Sequence, residues 1–316
     1  MKSPPFANFV LAQTDPDAFM VPLLKTLLQG VEAPQPNYPR FYLWLGILAQ
    51  LTADSAFNAE LHRQVLENQP WMADRSFRTI TLSQLTVLVV IRIIQANFAT
   101  HKDAFIHQCS LAILINFSAH MAHLPASLVQ RLMKIFDMVA RRYLKITAVW
   151  QDSASPNHQQ LSNALHAADF HLYLDMLQVF IFVFSNTLHH HLRQNAHLIY
   201  SLLQSKEVFS TLQSDPQVGD AVNNINFVIA YFQACIGEAK LTSPSTEEVL
   251  QVIEDKSPLF RTAELPLTPW RAGFRVAAPN LEFYTPYIWQ LIVKHSPLSY
   301  SLEEAVLVNA FDNEIG

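Results

Sequence analysis

The chain has 316 residues, 50% of them hydrophobic and 15% charged, which is enough to bury a substantial core and long for one compact domain. Six glycines are too few for glycine-rich phosphate loops or for a sheet protein with many tight turns, and a formal net charge of -5 supplies no overall attraction to nucleic acid. The two cysteines, Cys109 and Cys235, stand far apart in no metal-ligand spacing and read as reduced, buried thiols of a cytosolic protein.

The first residues, Met1 to Phe6, lack the apolar core of a signal peptide and the Met-Gly start of an N-myristoylated chain. Asp15 followed by Pro16 is a cap with proline in the first turn, and predicts a helix to about Gln29. Pro34, Pro36 and Pro39 mark a short loop, after which Tyr38 to about Leu51 and Ser55 to about Glu67 read as helices. Thr81 and Gln84 have the spacing of a capping box and open a helix to about Phe98. Its stretch from Leu85 to Asn97 is apolar almost all round, so it is expected to be enclosed by other helices; it is too short and too polar for a membrane span. Further helices are expected over Lys102–Ala122 and Ser127–Ile146. In the latter, Leu128, Leu132, Ile135, Phe136, Val139 and Tyr143 share one face.

A polar loop, Gln151 to Asn157, precedes a long helix from Leu161 to Leu188, and shorter ones cover Ala196–Leu203 and Lys206–Leu212. Asp215 and Pro216 repeat the cap-plus-proline signal before a helix to Ile236, and Ser245 with Glu248 forms a capping box for a helix to Asp255. From Lys256 to Pro286 the texture changes. Pro258, Pro266, Pro269, Pro279 and Pro286 alternate with Phe260, Trp270, Phe274 and Phe283, which predicts an ordered extended segment and no continuous helix. Helix is expected again over Tyr287–Lys294, and a last capping box, Ser301 with Glu304, opens a terminal helix. No β-alternating run of useful length is present. The pattern therefore predicts an all-α fold, a degenerate armadillo- or HEAT-like α-solenoid without visible repeats. Residues 1–255 form its helical array, and residues 256–316 an irregular Pro-rich segment with C-terminal helices packed on the same body.

Three groups of side chains invite a functional reading. Arg131, Lys134, Arg141, Arg142 and Lys145 fall within roughly 100° of arc on one helix, with Asp137 the acid among them. Such a stripe suits an acidic protein partner or acidic lipid headgroups, and alternatively is a solvated face. Its membrane binding would be weak and salt-sensitive. The histidines His120, His123, His189, His190, His191 and His197 do not form a metal site by spacing, because neighbours in a helix point about 100° apart. Arg92, inside the apolar run, is expected to be buried in an ion pair, with Asp54 or Asp103 as partner. No nucleophile elbow, zinc-protease motif or dinucleotide fingerprint is present, so no enzyme activity and no cofactor are expected.

Leu88 to Asn97 resembles the central signature of the dymeclin family. Similar stretches follow in order: Ala7–Asp15 and Val21–Leu24, Leu51–Asn58, Cys109–Ala112 with Asn116–Ala119, Asn186–His190, and Pro286–Leu291. The resemblance covers the C-terminal half of a longer family pattern, and the family's N-terminal glycine has no counterpart here. It implies a non-catalytic interaction scaffold in Golgi organisation and secretory-pathway trafficking. Such a protein is cytoplasmic, peripherally associated with the Golgi, and works through protein partners. The alternative is a soluble helical adaptor without a membrane role. The resemblance carries over no binding residue.

Overall fold

The computed structural model describes residues 15–33, 38–67, 71, 79–100, 102–152, 160–239, 244–262, 265 and 281–295. The chain divides into two compact units, Met1–Val276 and Ala277–Gly316. In the first, α1 spans Pro16–Glu32, α2 Tyr38–Leu51, α3 Ser55–Arg63, α4 Leu82–Thr100, α5 Ala104–Ser118 and α6 Ala126–Asp152. After them come α7, Gln160–His191, then α8, Ala196–Gln204, α9, Lys206–Gln213, α10, Gly219–Glu238, and α11, Thr246–Lys256. The structure is mostly helical, as expected. The polar stretch after Asp152 lies largely outside the described residues, as does most of the Pro-rich segment. Of that segment, Phe260 and Leu265 are buried in the core of the first unit. The helix expected from Ser301 lies wholly outside the described residues.

Helix α4 organises the first unit. Twelve of its residues are buried, among them Leu85, Leu88, Val89, Ile91 and Ile94. To cover so much apolar circumference it packs against α1, α3, α5 and α6. The other contacts extend this into two rows. In one, α1 touches α4, α4 touches α6, α6 touches α8, and α8 touches α11. In the other, α2 touches α5, α5 touches α7, and α7 touches α10. The pairs α1 with α2, α4 with α5, α6 with α7, and α8 with α10 join the rows. α9 packs on α10 at a tight corner, where a Cβ on Gly219 would lie 2.5 Å from the carbonyl oxygen of Gln213.

Local chemistry sets the ends of these helices. Thr81 and Gln84 form the expected reciprocal cap: Thr81 N–H donates to Gln84 Oε1 and Gln84 N–H to Thr81 Oγ1, both at 3.2 Å. Ser245 and Glu248 complete another capping box. Asp54 caps α3 by accepting from Phe57 N–H, and Asp103 caps α5 by accepting from Ile106 N–H. Turns inside the unit are held by asparagines. Asn97 Nδ2 donates to Asp103 O at 2.8 Å while Asp103 N–H donates to Asn97 Oδ1 at 2.9 Å. Asn195 accepts from Leu124 N–H and donates to both Met121 O and His191 O. Asn58 donates to Thr52 O and Asn116 O, tying α3 to α5.

Several expectations need correction. Arg92 is exposed, not buried. At helical spacing Gln84, Arg92, Gln95, Ala96 and Ala99 share one strip of α4, none of them buried, and the arginine points out along it. Both candidate partners are otherwise engaged: besides its cap, Asp103 accepts from Tyr42 Oη at 2.6 Å, and Asp54 holds the α3 cap. The helix expected to run to Glu67 stops at Arg63. Val65–Glu67 instead pairs antiparallel with Thr79–Thr81, placing buried Leu66 opposite buried Ile80. α5 ends at Ser118, short of Ala122. There Asn186 Nδ2 and Thr187 Oγ1 of α7 donate to Ser118 Oγ and Ser118 O, so side chains take the place of a further turn. Asp215 and Pro216 open a turn, and α10 begins only at Gly219. In the second unit α12 spans Leu281–His295 and passes straight through Pro286, where an extended start was expected. A proline there forfeits one backbone hydrogen bond without ending the helix.

Contrary to the expectation for the run from Leu85, its helix Leu82–Thr100 reaches the length and apolar content that a bilayer crossing requires, as does Phe170–Gln194, but 67% of each apolar window is buried inside the protein. Their apolar surface is taken up by neighbouring helices. Leu85→Ala is expected to cost roughly 2–5 kcal/mol by urea denaturation, whereas Arg92→Met should stay within about 0.5 kcal/mol of the parent. Equal effects of the two would contradict the assignment of the open strip. Asn97→Ala leaves the Asp103 N–H and carbonyl of the α4–α5 turn without their clamp and should cost about 1–3 kcal/mol per buried group stranded. An unchanged midpoint would show that the clamp contributes nothing.

Candidate functional site: a basic groove and a histidine cluster

Helix α6 is amphipathic, and its apolar side, which includes Leu128, Leu132, Ile135, Phe136, Val139 and Tyr143, is buried. The opposite side carries the basic stripe. Lys134, Arg141, Arg142 and Lys145 are exposed, and Arg131 is half-buried with an interaction of its own. Phe136 stacks on Phe209 with ring centroids 4.8 Å apart, and Tyr143 Oη donates to the Asp215 carboxylate at 3.0 Å. These contacts fix the rotation of α6 and so aim the stripe outward.

α8 lies beside α6 in the first row, and between them runs an open groove of about 520 Å³. Lys134 and Arg141 line it together with Gln130, Met133, Asp137 and Met138. Tyr200, Ser201, Gln204 and Ser205 supply the other wall. The structure therefore brings two of the five stripe cations into a concavity and leaves Arg142 and Lys145 beyond it on the same exposed side. Met138 stands 40% exposed among them. Burial raises the Asp137 carboxyl above its ordinary range, and nearby Arg141 pulls it back down. Its Oδ1 is inaccessible to water and has no hydrogen-bond partner among the described residues. The groove thus offers two cations flanking a carboxylate whose Oδ1 lacks a donor among the described residues, with Met133 and Met138 also in its lining.

A second cluster gathers at the ends of α3, α5 and α7. His62 Nδ1 meets Asn58 O at 2.7 Å, His120 Nε2 meets Ser55 Oγ at 3.1 Å, and His191 Nε2 meets Ala119 O at 3.0 Å. The His62 and His120 rings are 5.7 Å apart. Burial holds His62 down at about 4 despite its bond to Asn58, and His120 and His191 push the same way. Burial likewise lowers His120, helped by His191, and lowers His190, helped by His189, His191 and His120. Among the described residues no three or more of His, Cys, Asp and Glu come together in a metal-binding group. The ring nitrogens named above face a hydroxyl or backbone carbonyls, which gives the cluster a bracing role between helix ends.

Two buried groups lie apart from both. His107 packs on Phe98 at 4.6 Å, neither ring nitrogen has a partner among the described residues, and burial pushes it down to about 4 against the pull of Asp103. Cys109 is buried, and burial with Asp103 nearby pushes its thiol up to about 12. Sequence spacing alone located the stripe of α6 but missed the α8 wall, His62 and the solitary His107.

The histidines make stability depend on pH. An unfolded imidazole takes a proton near 6.5 and the folded His62 and His107 only near 4, so the unfolded chain binds more protons between these values. Their contribution is complete above pH 6.5 and is lost as pH falls toward 4, by up to about 3 kcal/mol each. His107→Leu should melt no lower than the parent at pH 7 and should lose less stability on acidification. A parallel pH profile for the two proteins would overturn this account of His107.

The family profile described as Dymeclin: Dyggve-Melchior-Clausen syndrome protein matches residues 1–291. The chain is 29% identical to Dymeclin of Gallus gallus over 292 residues, covering 90% of this chain and 42% of that protein. It is 28% identical to Dymeclin of Mus musculus over 314 residues, covering 97% and 46%. It is also 28% identical to Dymeclin of Drosophila melanogaster over 306 residues, covering 94% and 43%. The chain thus spans less than half the length of the curated relatives it matches. No solved structure matches it.

Proposed function

Since this chain belongs to the dymeclin family, we propose that it is a non-catalytic interaction scaffold serving Golgi organisation and secretory-pathway trafficking. The observation that carries this reading is the pair of helix rows, α1–α4–α6–α8–α11 and α2–α5–α7–α10, joined rung by rung. Helix pairs stacked in this way are the plan of a degenerate armadillo- or HEAT-like α-solenoid. Solenoids work by presenting long outer surfaces to partners, each rung adding to the surface while packing only on its neighbours. The open groove between α6 and α8, consecutive members of one row, is a surface of that type. The protein acts from the cytoplasmic side and reaches Golgi membranes through protein partners. The two longest apolar helices give their surface to the core, and the stripe of α6 provides only weak, screened attraction to anionic lipid.

The test is carried out in cells depleted of their own dymeclin and expressing the tagged chain. Co-distribution with a Golgi marker, a compact Golgi and normal arrival of a secretory cargo at the surface are expected. A diffuse signal with cargo export left at the depleted level would overturn the proposal in favour of a soluble adaptor without a membrane role.

A further inference from the structure

We propose that the groove between α6 and α8 is a docking site for an acidic, amphipathic segment of a protein partner. Carboxylates of that segment pair with Lys134 and Arg141, and an apolar side chain of it covers Met138. This rests on the scaffold reading and assigns that scaffold a contact surface.

Charge complementarity selects the partner. Lys134 and Arg141 are seven residues apart on one face of α6, which sets their backbones roughly 10 Å apart along the helix axis. Arg142 and Lys145 continue the positive field at the next turn, exposed on the same side. The surrounding chain carries a net charge of -5, so the basic patch runs against the overall balance of the protein. A partner helix with glutamates two turns apart matches the spacing of the two cations. Exposed charges of this type steer encounter and fix register, while exposed Met138 supplies adaptable apolar contact.

Two features favour a protein segment over a lipid surface. The first is shape: Tyr200 and Gln204 stand across an open groove from the cations, a trough that a peptide segment can fill and a flat bilayer cannot line. The second is Asp137. It sits between the cations with one oxygen shielded and without a donor among the described residues. A phosphodiester brings only acceptors beside that carboxylate, whereas a peptide can set its acidic side chains on either side of it and an apolar or amide group against it. The carboxylate also repels an acidic group placed directly over it, so acidic residues must straddle it, which gives the site a register as well as a sign.

The experiment uses the purified full chain and a fluorescein-labelled synthetic amphipathic helix. One face of that peptide carries glutamates at the spacing of Lys134 and Arg141, flanking a leucine, and a second peptide replaces each glutamate by glutamine. Binding is followed by fluorescence anisotropy at physiological ionic strength. Two double variants carry the same change in net charge. Lys134→Glu with Arg141→Glu alters the groove, and Lys25→Glu with Arg92→Glu alters exposed positions on α1 and α4. Thermal melts verify that both are folded; if the groove variant melts early, Lys134→Gln with Arg141→Gln replaces it. The expected result is saturable binding of the glutamate peptide, weakened roughly tenfold or more by the groove variant and unchanged by the control variant, with no binding of the glutamine peptide. Equal weakening by both variants would show diffuse electrostatics and overturn the site. So would absence of peptide binding alongside binding to phosphatidylserine-containing vesicles, which would assign the stripe to lipid. These readouts do not depend on where the protein resides in cells, so failure of the groove and failure of the Golgi reading are separable.

Discussion

Around most of the circumference of α4, from Leu82 to Asn97, the side chains are apolar, and water is tolerable along one narrow strip only. A helix of that kind has to be surrounded. α1 and α6 flank it within its own row, α5 backs it in the other, and α3 covers part of the remainder. Each neighbour is itself amphipathic or nearly all apolar, so covering α4 creates a further surface to be covered. The requirement passes along the chain and ends at helices with polar outer sides, such as α6 and α11. Burial that demands the next layer is the physical reason one row of helices is backed by the other.

Rows of helices joined by short turns raise a second difficulty, because turns pressed against the core carry backbone groups that water cannot reach. Here asparagine side chains meet that need at three places, Asn58, Asn97 and Asn195. Asn97 and Asn195 use a donor and an acceptor on one short stem and Asn58 donates twice, so a single residue braces two segments. Asn195 joins the end of α7 to the α5–α6 connection and so couples two steps of the array. The histidine cluster lies close to the same junctions, and its imidazoles touch the carbonyls of helix ends in the same manner.

Much of this was legible in the sequence. The capping boxes at Thr81 and Ser245 and the bounds of α2 and α8 follow from local chemistry and hold in the structure. Arg92 looks buried in the sequence because its neighbours in the chain are apolar, whereas its neighbours on the helix surface, Gln84 and Gln95, are polar. Read on a helical wheel, the three residues mark the open strip. Val65–Glu67 reads as helix by local pattern because its pairing partner, Thr79–Thr81, lies beyond a separate stretch of chain, and short strands are decided by the partner. Pro286 shows that a proline limits a helix without always ending one. For the candidate groove, periodicity along α6 revealed the cations, because a stripe is a property of one helix. The α8 wall was invisible, because no local pattern tells which later helix will lie beside an earlier one.

The withdrawn thiol of Cys109 bears on the protein's redox chemistry. With its proton held to about 12, the thiolate fraction at neutral pH is on the order of 10⁻⁵, and the thiolate is the form that reacts with peroxide, disulfides and alkylating agents. Cys235, the other cysteine of the chain, is buried as well. While the protein is folded, its two thiols are therefore shielded from oxidants and alkylating agents, and reactivity at these cysteines reports that the helices around them have opened. Thiol labelling becomes a clock for local unfolding of α5 and α10, read without any added probe in the structure.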